Sequence, residues 1–370
     1  MAVSSGKIVK VMEAFAPAAL ALERDPIGLQ MGSPEQEIHT VLVSLELNET
    51  VLEEAVQSQA QMILVHHTPL FVPVKNLRED KMPGRMLARM LRHRMCLYCA
   101  HTNLDVVMGG VNDTLAGRLG LEEVQILCVT YREKLTKLVV YVPWEHVEAV
   151  RRAMAEAGAG WIGDYSDCAF MVEGYGFFRP GKGTRPYIGQ EEQLEKVREA
   201  RIETVMPEAK APQVVNAMME AHPYEEVAYD LYSLNNQGKK SGMGRIGVLP
   251  EPMAYKDFAS LAARQLSVRG LRCTGDPDAK VRRVALCGGS GAFLIEEAKN
   301  HGADVFLTAD VKHHEAQDAL DAGLFVIDAG HFSTEQPVVE ITAKHIREAL
   351  PELQVIESKI NTDPFWYVKE

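Results

Sequence analysis

Short apolar runs that alternate with amphipathic stretches constrain the fold of this 370-residue chain more than any other feature. From Thr40 onward the apolar runs have the length expected of buried strands, and the stretches between them carry hydrophobic residues at helical spacing. The first runs are residues 41–45, 62–65 and 95–100, and the stretches are residues 51–60, 86–94 and 112–119. Strands that alternate with helices predict an α/β fold, in which helices cover the faces of a sheet.

The middle of the chain breaks this pattern. Between residues 127 and 241 the sequence predicts the element order β-α-β-β-α-β, which is typical of a ferredoxin-like domain. The predicted elements are strand 137–142, helix 145–156, strands 168–178 and 202–206, helix 212–221 and strand 227–234. Residues 235–242 are rich in turn formers and charge, which indicates a linker.

The α/β pattern resumes after this linker. The predicted elements are strand 281–287, helix 292–300, strand 305–308, helix 315–322, strand 324–327 and a final helix from 334 to 350. The sequence therefore predicts one discontinuous α/β domain, made of residues 1–126 and 242–370, with a ferredoxin-like domain of residues 127–241 inserted into it.

Histidines and carboxylates follow four of the predicted strands. They are His66 and His67 after 62–65, His101 and Asp105 after 95–100, Asp310, His313 and His314 after 305–308, and His331 and Glu335 after 324–327. Ligands of open α/β sheets bind beyond the carboxyl ends of the strands. We therefore expect these side chains to share one edge of the sheet.

Taken singly, these residues have simpler structural explanations. His66 and His67 are neighbours, and neighbours in a strand face opposite sides, so both serve one site only if they lie just past the strand. The capping-box spacing of Ser333 and Gln336 predicts a helix from residue 334. Glu335 would then be an acid in the first helical turn, which the helix dipole stabilises.

Taken together, three imidazoles and two carboxylates indicate a metal site formed by His66, His67, His331, Asp105 and Glu335. Mixed nitrogen and oxygen ligands suit Zn²⁺, Mn²⁺ or Fe²⁺ and argue against a structural zinc site with four cysteines. Five ligands with one bridging carboxylate are enough for two ions about 3.5 to 4 Å apart.

Three segments resemble the metal-binding motifs of the NIF-three-like family, known as GTP cyclohydrolase 1 type 2 homologues. They are Val65-His66-His67-Thr68-Pro69-Leu70, Ala100-His101-Thr102-Asn103-Leu104-Asp105, and Asp328-Ala329-Gly330-His331 through Glu335. Gly28-Leu29-Gln30-Met31-Gly32 is similar to the N-terminal signature of the family, although Asp25-Pro26 stands where Asp-Asn is expected. The resemblance covers residues 1–126 and 242–370.

The resemblance implies a dinuclear divalent-metal centre with the five ligands named above and with Glu335 as the bridge. It also implies a toroidal homohexamer whose metal sites face an internal cavity. The middle block is similar to the PII and CutA trimer-forming domains found as an insert in longer family members, and residues 222–226 are its most recognisable stretch. His222 is equally well explained as a helix-terminal residue near the negative end of the helix dipole.

Three other patterns have both a functional and a plain structural interpretation. Residues 288–291, Gly-Gly-Ser-Gly, lie between a strand and a helix, where backbone amides can bind phosphate but where a tight turn is equally common. The basic loop 179–186 is either an anion grip or a solvated connection. Cys96 and Cys99 have Cys-x-x-Cys spacing, but residues three apart in a strand face opposite sides, which argues against chelation.

The composition argues against several classes of protein. With 39 basic and 51 acidic residues the net charge is −12, which disfavours nucleic acid and anionic membrane surfaces as partners. Six cysteines do not make a disulfide scaffold in a chain of this length, so we expect reduced thiols and a cytoplasmic protein. Residues 14–22 are apolar, but Pro17 and the flanking Glu13 and Glu23 argue against a signal peptide.

These features predict a cytoplasmic metal-dependent hydrolase with two divalent ions per chain and a small-molecule, nucleotide-like substrate. Water bound between the metals would attack an electrophilic carbon or phosphorus, with His101 or His314 as proton carrier. The family name implies GTP cyclohydrolase chemistry on the C–N bonds of a cyclic amidine, with attack at guanine C8 and release of formate. The alternative is a non-catalytic metal-binding or regulatory assembly whose inserted domain senses a small ligand.

Overall fold

The computed structural model describes residues 2–368 and has a mixed α/β fold, as the alternating pattern predicted. The chain divides into two compact units. The first unit contains the residues up to Tyr131 together with those from Ser241 onward, and the second contains Arg132–Lys240. Within residues 2–368, no helix is long and apolar enough to cross a membrane.

The first unit contains a five-stranded sheet, called here the first sheet. Its strands, in spatial order, are Gln354–Glu357, Thr40–Glu46, Met62–His67, Cys96–Cys99 and Gly28–Met31. The first four are parallel to one another, and Gly28–Met31 is antiparallel to its neighbour. Cys96 and Cys99 belong to different apolar cores, as expected for residues three apart in a strand.

Helices cover both faces of the first sheet. Helices Glu49–Gln57 and Gly84–Arg92 share an apolar core with residues of one face such as Leu42 and Ile63. Helix Val338–Ala349 packs on the strand Thr40–Glu46 and on helix Ser5–Phe15, in the larger core of the unit. The side chain of Asn48 caps the N-terminus of helix Glu49–Gln57, and that of Ser4 caps the N-terminus of helix Ser5–Phe15.

The second sheet of this unit has six strands. In spatial order they are Arg272–Cys273, Phe325–Asp328, Val305–Ala309, Lys280–Ser290, Lys240–Ala254 and Glu122–Arg132. The second, third and fourth of these are parallel. The helices of this part of the chain are Thr102–Val106, Val111–Arg118, Tyr255–Gln265, Ile295–Asn300 and His313–Asp321, and Val111–Arg118 packs directly on Lys280–Ser290. A two-stranded ribbon, Val3–Ser4 with Glu37–Ile38, completes the unit.

A fully buried arginine fixes the turn that follows Asp105. The Arg245 guanidinium is inaccessible to solvent and donates two hydrogen bonds to Asp113, at 2.8 and 2.7 Å. It also donates to the carbonyl of Val107 at 3.1 Å. A buried charge is stable only when it is paired and hydrogen-bonded, as this one is.

The second unit is a four-stranded antiparallel sheet with two helices. The strand order is Tyr229–Leu234, Leu135–Pro143, Glu195–Pro207 and Ala169–Phe178. Helices Val147–Glu156 and Ala211–Ala221 lie over the sheet, and their Val150, Met154, Val214 and Met218 share a core with alternate residues of the two central strands. The element order along the chain is β-α-β-β-α-β.

The prediction of one final helix from residue 334 to 350 is wrong. A short helix, His331–Glu335, begins after Gly330, whose φ of 78° favours glycine, and a separate helix, Val338–Ala349, begins after Pro337. Gln336 and Pro337 keep helical dihedral angles, but proline has no amide hydrogen, so Pro337 cannot donate the backbone hydrogen bond that would join the two helices. Glu335 is therefore the last residue of a short helix, and the explanation as a first-turn acid of a long helix does not apply.

Candidate metal centre

The carboxylate of Glu335 lies at the centre of the predicted cluster. Its Oε2 atom is 2.9 Å from His67 Nε2 and 3.0 Å from His331 Nε2. Its Oε1 atom is 3.9 Å from His66 Nε2, which in turn is 3.5 Å from Asp105 Oδ1. The two oxygens of one carboxylate thus face two different sets of ligands, and in each set the potential ligand atoms lie within 4.8 Å of one another.

His66 and His67 reach this cluster from inside a strand. They are its last two residues, whereas the sequence analysis expected a shared site only if they lay past its end. Their ring centroids are nevertheless 4.9 Å apart, and both Nε2 atoms approach Glu335. Side-chain alternation therefore does not separate the two imidazoles.

Four imidazoles at this site have the Nδ1 atom held by an oxygen. The distances are 2.8 Å for His66 to the carbonyl of Ala100, 3.4 Å for His67 to Glu46, 2.8 Å for His101 to Asp25 and 2.6 Å for His331 to Asp310. A neutral imidazole that donates from Nδ1 leaves its lone pair on Nε2. Metal-ligating histidines are oriented in this way, so in the neutral form of each ring Nε2 can bind a cation.

Several polar atoms in the cluster are buried without a hydrogen-bond partner among residues 2–368. They are His66 Nε2, Asp105 Oδ1, His331 Nε2 and Glu335 Oε2. His331 Nε2 and Glu335 Oε2 are close, but the two groups do not have hydrogen-bond geometry. Buried polar atoms without partners are costly and rare, and nitrogen and oxygen atoms that converge on one another suit a divalent cation.

The imidazoles of the cluster have pKa values shifted in opposite directions. Burial lowers the pKa of His66 to about 3, so this ring is neutral. Burial also lowers the pKa of His67, but the carboxylates of Glu335 and Glu46 outweigh it and raise the value to about 10. The Glu335 carboxylate raises the pKa of His331 to about 9.

The two buried carboxyl groups also differ. Burial raises the pKa of Asp105 well above its ordinary value, and the nearby charge of Glu335 raises it further. Burial also tends to raise the pKa of Glu335. The contacts of this carboxylate with His331 and His67 have a larger effect and hold the pKa well below its usual range. A divalent cation between the two groups would stabilise both as carboxylates.

Asp25 positions the imidazole of His101 beside the cluster. It accepts from His101 at 2.8 Å and from the backbone amide of Thr102 at 3.0 Å, and the Thr102 hydroxyl also contacts it. The ring centroid of His101 lies 5.2 Å from that of His66 and 5.3 Å from that of His67. The Asp25-Pro26 turn, where the sequence departs from the family signature, therefore supports a residue of the site.

His314, the second candidate proton carrier, is not brought into the cluster. It is exposed on the helix His313–Asp321, and its Nδ1 atom is 3.2 Å from Gln317. His313 is exposed on the same helix. Of the polar residues predicted after the strand Val305–Ala309, Asp310 alone contacts a member of the cluster.

The glycines at the end of the strand Lys280–Ser290 pack against the cluster. A Cβ atom at Gly289 would lie 2.0 Å from Glu335 Oε1 and 3.3 Å from His331 Nε2, so glycine is needed at this position. The amides of Gly288 and Gly289 donate to the side chains of Asn112 and Thr334. Because side chains occupy these amides, the segment forms part of the cluster's wall and not a phosphate cradle.

A cavity of about 790 Å³ adjoins the cluster. His67, His101 and His331 lie on its wall, together with aromatic rings. These rings are Phe71, Phe332, Phe365 and Tyr367. The volume is in the range that holds small molecules and cofactors.

Sequence reasoning missed the residues that orient the site. Asp25 and Glu46 hold imidazoles, and Asn112 joins the backbone of Asp105, through a 2.9 Å bond, to Gly288. Only the position of Glu46, at the carboxyl end of a strand next to Met62–His67, could have been noticed in the sequence.

The chain has an α/β fold in which three imidazoles and two carboxylates lie close together near the strand ends. By this fold and site it belongs to the class of candidate metal-binding proteins. Comparison with known proteins gives the family. The chain belongs to the Duf34/NIF3 family (NGG1p interacting factor 3), whose sequence profile matches residues 3–364, and the resemblance seen in the motifs is thereby confirmed.

Relatives and solved structures match the chain over nearly its whole length. It is 42% identical over 369 residues to the GTP cyclohydrolase 1 type 2 homolog of Bacillus subtilis, with 99% of each chain covered. It is 40% identical to the protein of the same name from Halalkalibacterium halodurans, with all of each chain covered. The crystal structure of a Bacillus cereus protein related to NIF3 matches with a TM-score of 0.91 at 41% identity, covering 99% of each chain.

Proposed function

We propose that the cluster holds two divalent metal ions with His66, His67, Asp105, His331 and Glu335 as ligands. The observation that carries this proposal is the set of buried nitrogen and oxygen atoms without hydrogen-bond partners, which converge from both sheets. Zn²⁺, Mn²⁺ and Fe²⁺ all accept this mixture of donors.

The division of the ligands supports two ions and not one. His67 and His331 approach one oxygen of Glu335, while His66, close to Asp105, approaches the other. A carboxylate that binds through both oxygens can bridge two ions, and bridging carboxylates are a common way of holding a pair of metals. Glu335 is therefore the bridging ligand of the proposal.

The proposed activity is metal-dependent hydrolysis of a small molecule in the cavity of about 790 Å³. Bound divalent ions supply a water molecule of lowered pKa and a Lewis acid at the reacting carbon or phosphorus. His101, oriented by Asp25, is placed to carry a proton at Nε2. The names of the relatives support a cyclohydrolase acting on the C–N bonds of a cyclic amidine such as the guanine of GTP.

We further infer that the unit Arg132–Lys240 is an inserted ferredoxin-like domain of the PII and CutA kind, and that the chain assembles as a homohexamer. The element order β-α-β-β-α-β supports the first inference. A second candidate function, a non-catalytic metal-binding assembly with a ligand-sensing insert, is favoured by the separate cavity of this unit.

A metal-loaded preparation distinguishes the two functions. Elemental analysis of the purified protein is expected to give two ions per chain. GTP, other nucleotides and phosphoesters are then tested for turnover with the wild type, with Glu335→Gln and with His101→Gln. The hydrolase is supported if the wild type turns over a substrate, Glu335→Gln abolishes this activity, and His101→Gln lowers it by about 10²- to 10⁴-fold. Two bound metals without turnover support the assembly, and metal-free protein after loading contradicts both.

A further inference from the structure

The unit Arg132–Lys240 contains a cavity of about 660 Å³, which the proposed metal chemistry does not use. Its floor is formed by the strands Ala169–Phe178 and Glu195–Pro207, and its walls by residues 179–188 and 224–228. The basic loop 179–186, for which the sequence left two interpretations open, is thus part of a cavity wall.

Two glycines open the floor of this cavity. Gly174 pairs with Glu199 across the antiparallel strands, and Gly176 lies two residues further on, so all three positions are on one face of the sheet. A Cβ atom at Gly176 would lie 2.1 Å from Glu199 Oε2, whereas one at Gly174 would meet no atom within 4 Å. Glycine inside a strand often marks a close approach of another group, and here it leaves the Glu199 carboxylate room to face the cavity.

Glu199 is a buried carboxylate with little compensation. The residue is 8% exposed, and its Oε1 atom accepts a hydrogen bond of 2.9 Å from the Tyr224 hydroxyl. Across the part of the chain that the structure describes, no lysine, arginine or histidine nitrogen forms an ion pair with it within 4.0 Å. A buried carboxylate without an ionic partner is costly, and a positive charge in the cavity would compensate it.

Aromatic rings lie next to Tyr224, whose hydroxyl donates to this carboxylate. The Tyr224 ring lies 5.8 Å from Phe178 and 6.3 Å from Tyr187, measured between centroids. Tyr141 also lines the cavity, on the same face of the sheet as Glu199, whereas the rings of Tyr175 and Phe177 lie on the opposite face beside Lys196. The faces of such rings attract cations, and rings arranged around a cavity are the usual receptor for substituted ammonium groups.

The charged side chains of the walls favour a cation over an anion. Arg201 lies 3.0 Å from the Glu203 carboxylate, and Arg179 donates to the carbonyl of Glu192 at 2.9 Å. Both cationic groups that line the cavity are therefore engaged. Glu225 and Glu226 add two exposed carboxylates to the same wall, so the negative charges exceed the positive ones.

We propose that this cavity binds an organic cation, in which an ammonium or quaternary ammonium group attached to an apolar body sits between the Glu199 carboxylate and the rings of Tyr224, Tyr187 and Phe178. The carboxylate supplies the ionic contact, and the rings supply cation–π and apolar contacts. The site is separate from the metal cluster in its residues and in its chemistry.

The probe for this site is benzyltrimethylammonium, compared with benzoate and benzyl alcohol, which have similar bodies and a negative or no charge. Isothermal titration calorimetry on the full chain is expected to give one benzyltrimethylammonium per chain and at least tenfold weaker binding of the other two. Benzoate or benzyl alcohol binding as tightly as the cation, or no binding of the cation at millimolar concentration, overturns the proposal.

Two variants locate the site. Glu199→Gln keeps an acceptor for Tyr224 but removes the charge, and it should weaken binding of the cation by about 10- to 100-fold. Glu208→Gln, an exposed position of the same unit, removes the same charge and should leave binding unchanged. Gly174→Val adds a side chain to the floor on the same face of the sheet as Glu199, at a position with open space, and should weaken binding at least tenfold. Unchanged binding in both Glu199→Gln and Gly174→Val, with native circular dichroism, contradicts the assignment.

Discussion

The two cavities of this protein are similar in size, at about 790 and 660 Å³, but they carry different chemistry. The first ends in a cluster of buried nitrogen and oxygen atoms that converge without satisfying one another. The second has one buried carboxylate that is hydrogen-bonded to one of several aromatic side chains. Several convergent donors suit a small ion of high charge, whereas one charge beside aromatic rings suits a large cation of low charge. Variants of one cavity should therefore leave the ligand of the other unaffected.

The largest effect is expected from Glu335→Ala. Without the shared carboxylate the remaining ligands hold at most one ion, so metal content should fall from two per chain to one or none. Any hydrolysis should disappear with it, because the bound water would lose an ion that lowers its pKa. Elemental analysis measures the first effect and the nucleotide assay measures the second.

Glu340→Ala is the matched control for this variant, since Glu340 is an exposed acid of the helix Val338–Ala349. It should keep two metals. Binding of benzyltrimethylammonium should be the same in both variants and the wild type. Two metals per chain in Glu335→Ala would refute the bridging role, and loss of the organic cation would refute the independence of the cavities.

Gly289→Ala should weaken metal binding by about 10- to 100-fold, the range typical of changes to residues that hold metal ligands in place. The added methyl group would lie 2.0 Å from Glu335 Oε1, so the carboxylate must move. Competition with a chromophoric chelator measures the change in affinity.

Gly302→Ala is the control that distinguishes a steric clash with Glu335 from the backbone strain of placing alanine at a positive φ. Gly302 also has a positive φ, of 72°, but a Cβ atom there meets nothing within 4 Å. We expect it to reduce the free energy of unfolding without a change in metal affinity. Equal metal affinities in the two variants would mean that position 289 requires glycine only for its backbone geometry and not for the space beside Glu335.

Asp310→Asn should have a smaller effect, about tenfold on metal affinity. The carboxylate holds His331 Nδ1 at 2.6 Å, and an amide in its place can hold the ring but is a weaker acceptor. Asp318→Asn, an exposed acid on the helix His313–Asp321, is the control of equal charge. A chelator titration that cannot distinguish Asp310→Asn from Asp318→Asn would remove Asp310 from the site.

The smallest effect is expected from Cys99, a buried thiol close to the cluster. Burial raises its pKa to about 12, so at pH 8 roughly one thiol in ten thousand is ionised. Between pH 7 and 9 iodoacetamide should modify Cys99 only after unfolding, whereas the partly exposed Cys168 should react in the native protein. Cys99→Ala should keep two metals. Rapid native alkylation of Cys99 would contradict its burial as a neutral thiol, and loss of metal in Cys99→Ala would mean that this side chain supports the centre.

The order of most elements was predictable from the sequence, and so were the ends of several. The strand predicted at 305–308 is Val305–Ala309, and the helix predicted at 212–221 is Ala211–Ala221, because apolar period and length decide such elements locally. Strands Gly28–Met31 and Gln354–Glu357 were missed, since edge strands are short and depend on pairing with distant residues.

The candidate ligands were predictable because strand ends meet at one edge of a sheet, which is a rule about topology. The residues that orient them were not. Asp25 and Asn112 reach His101 and Gly288 through hydrogen bonds that span 76 and 176 positions, and such contacts leave no local pattern. The prediction of one final helix was wrong because the capping-box spacing of Ser333 and Gln336 describes only a helix start, whereas Pro337, without an amide hydrogen, separates two helices.

The separation of the two halves of the cluster along the chain has a consequence for biosynthesis. Asp105 and Glu335 are 230 residues apart, so at common translation rates roughly 10 to 50 s pass between them. During that interval the nascent first sheet carries His66 and His67 without the carboxylate between them. Arg245, which pairs with Asp113, is also still missing for most of this time. Metal acquisition should therefore be a late event that follows completion of the chain. A polypeptide that ends before residue 335 should have little affinity for the ion.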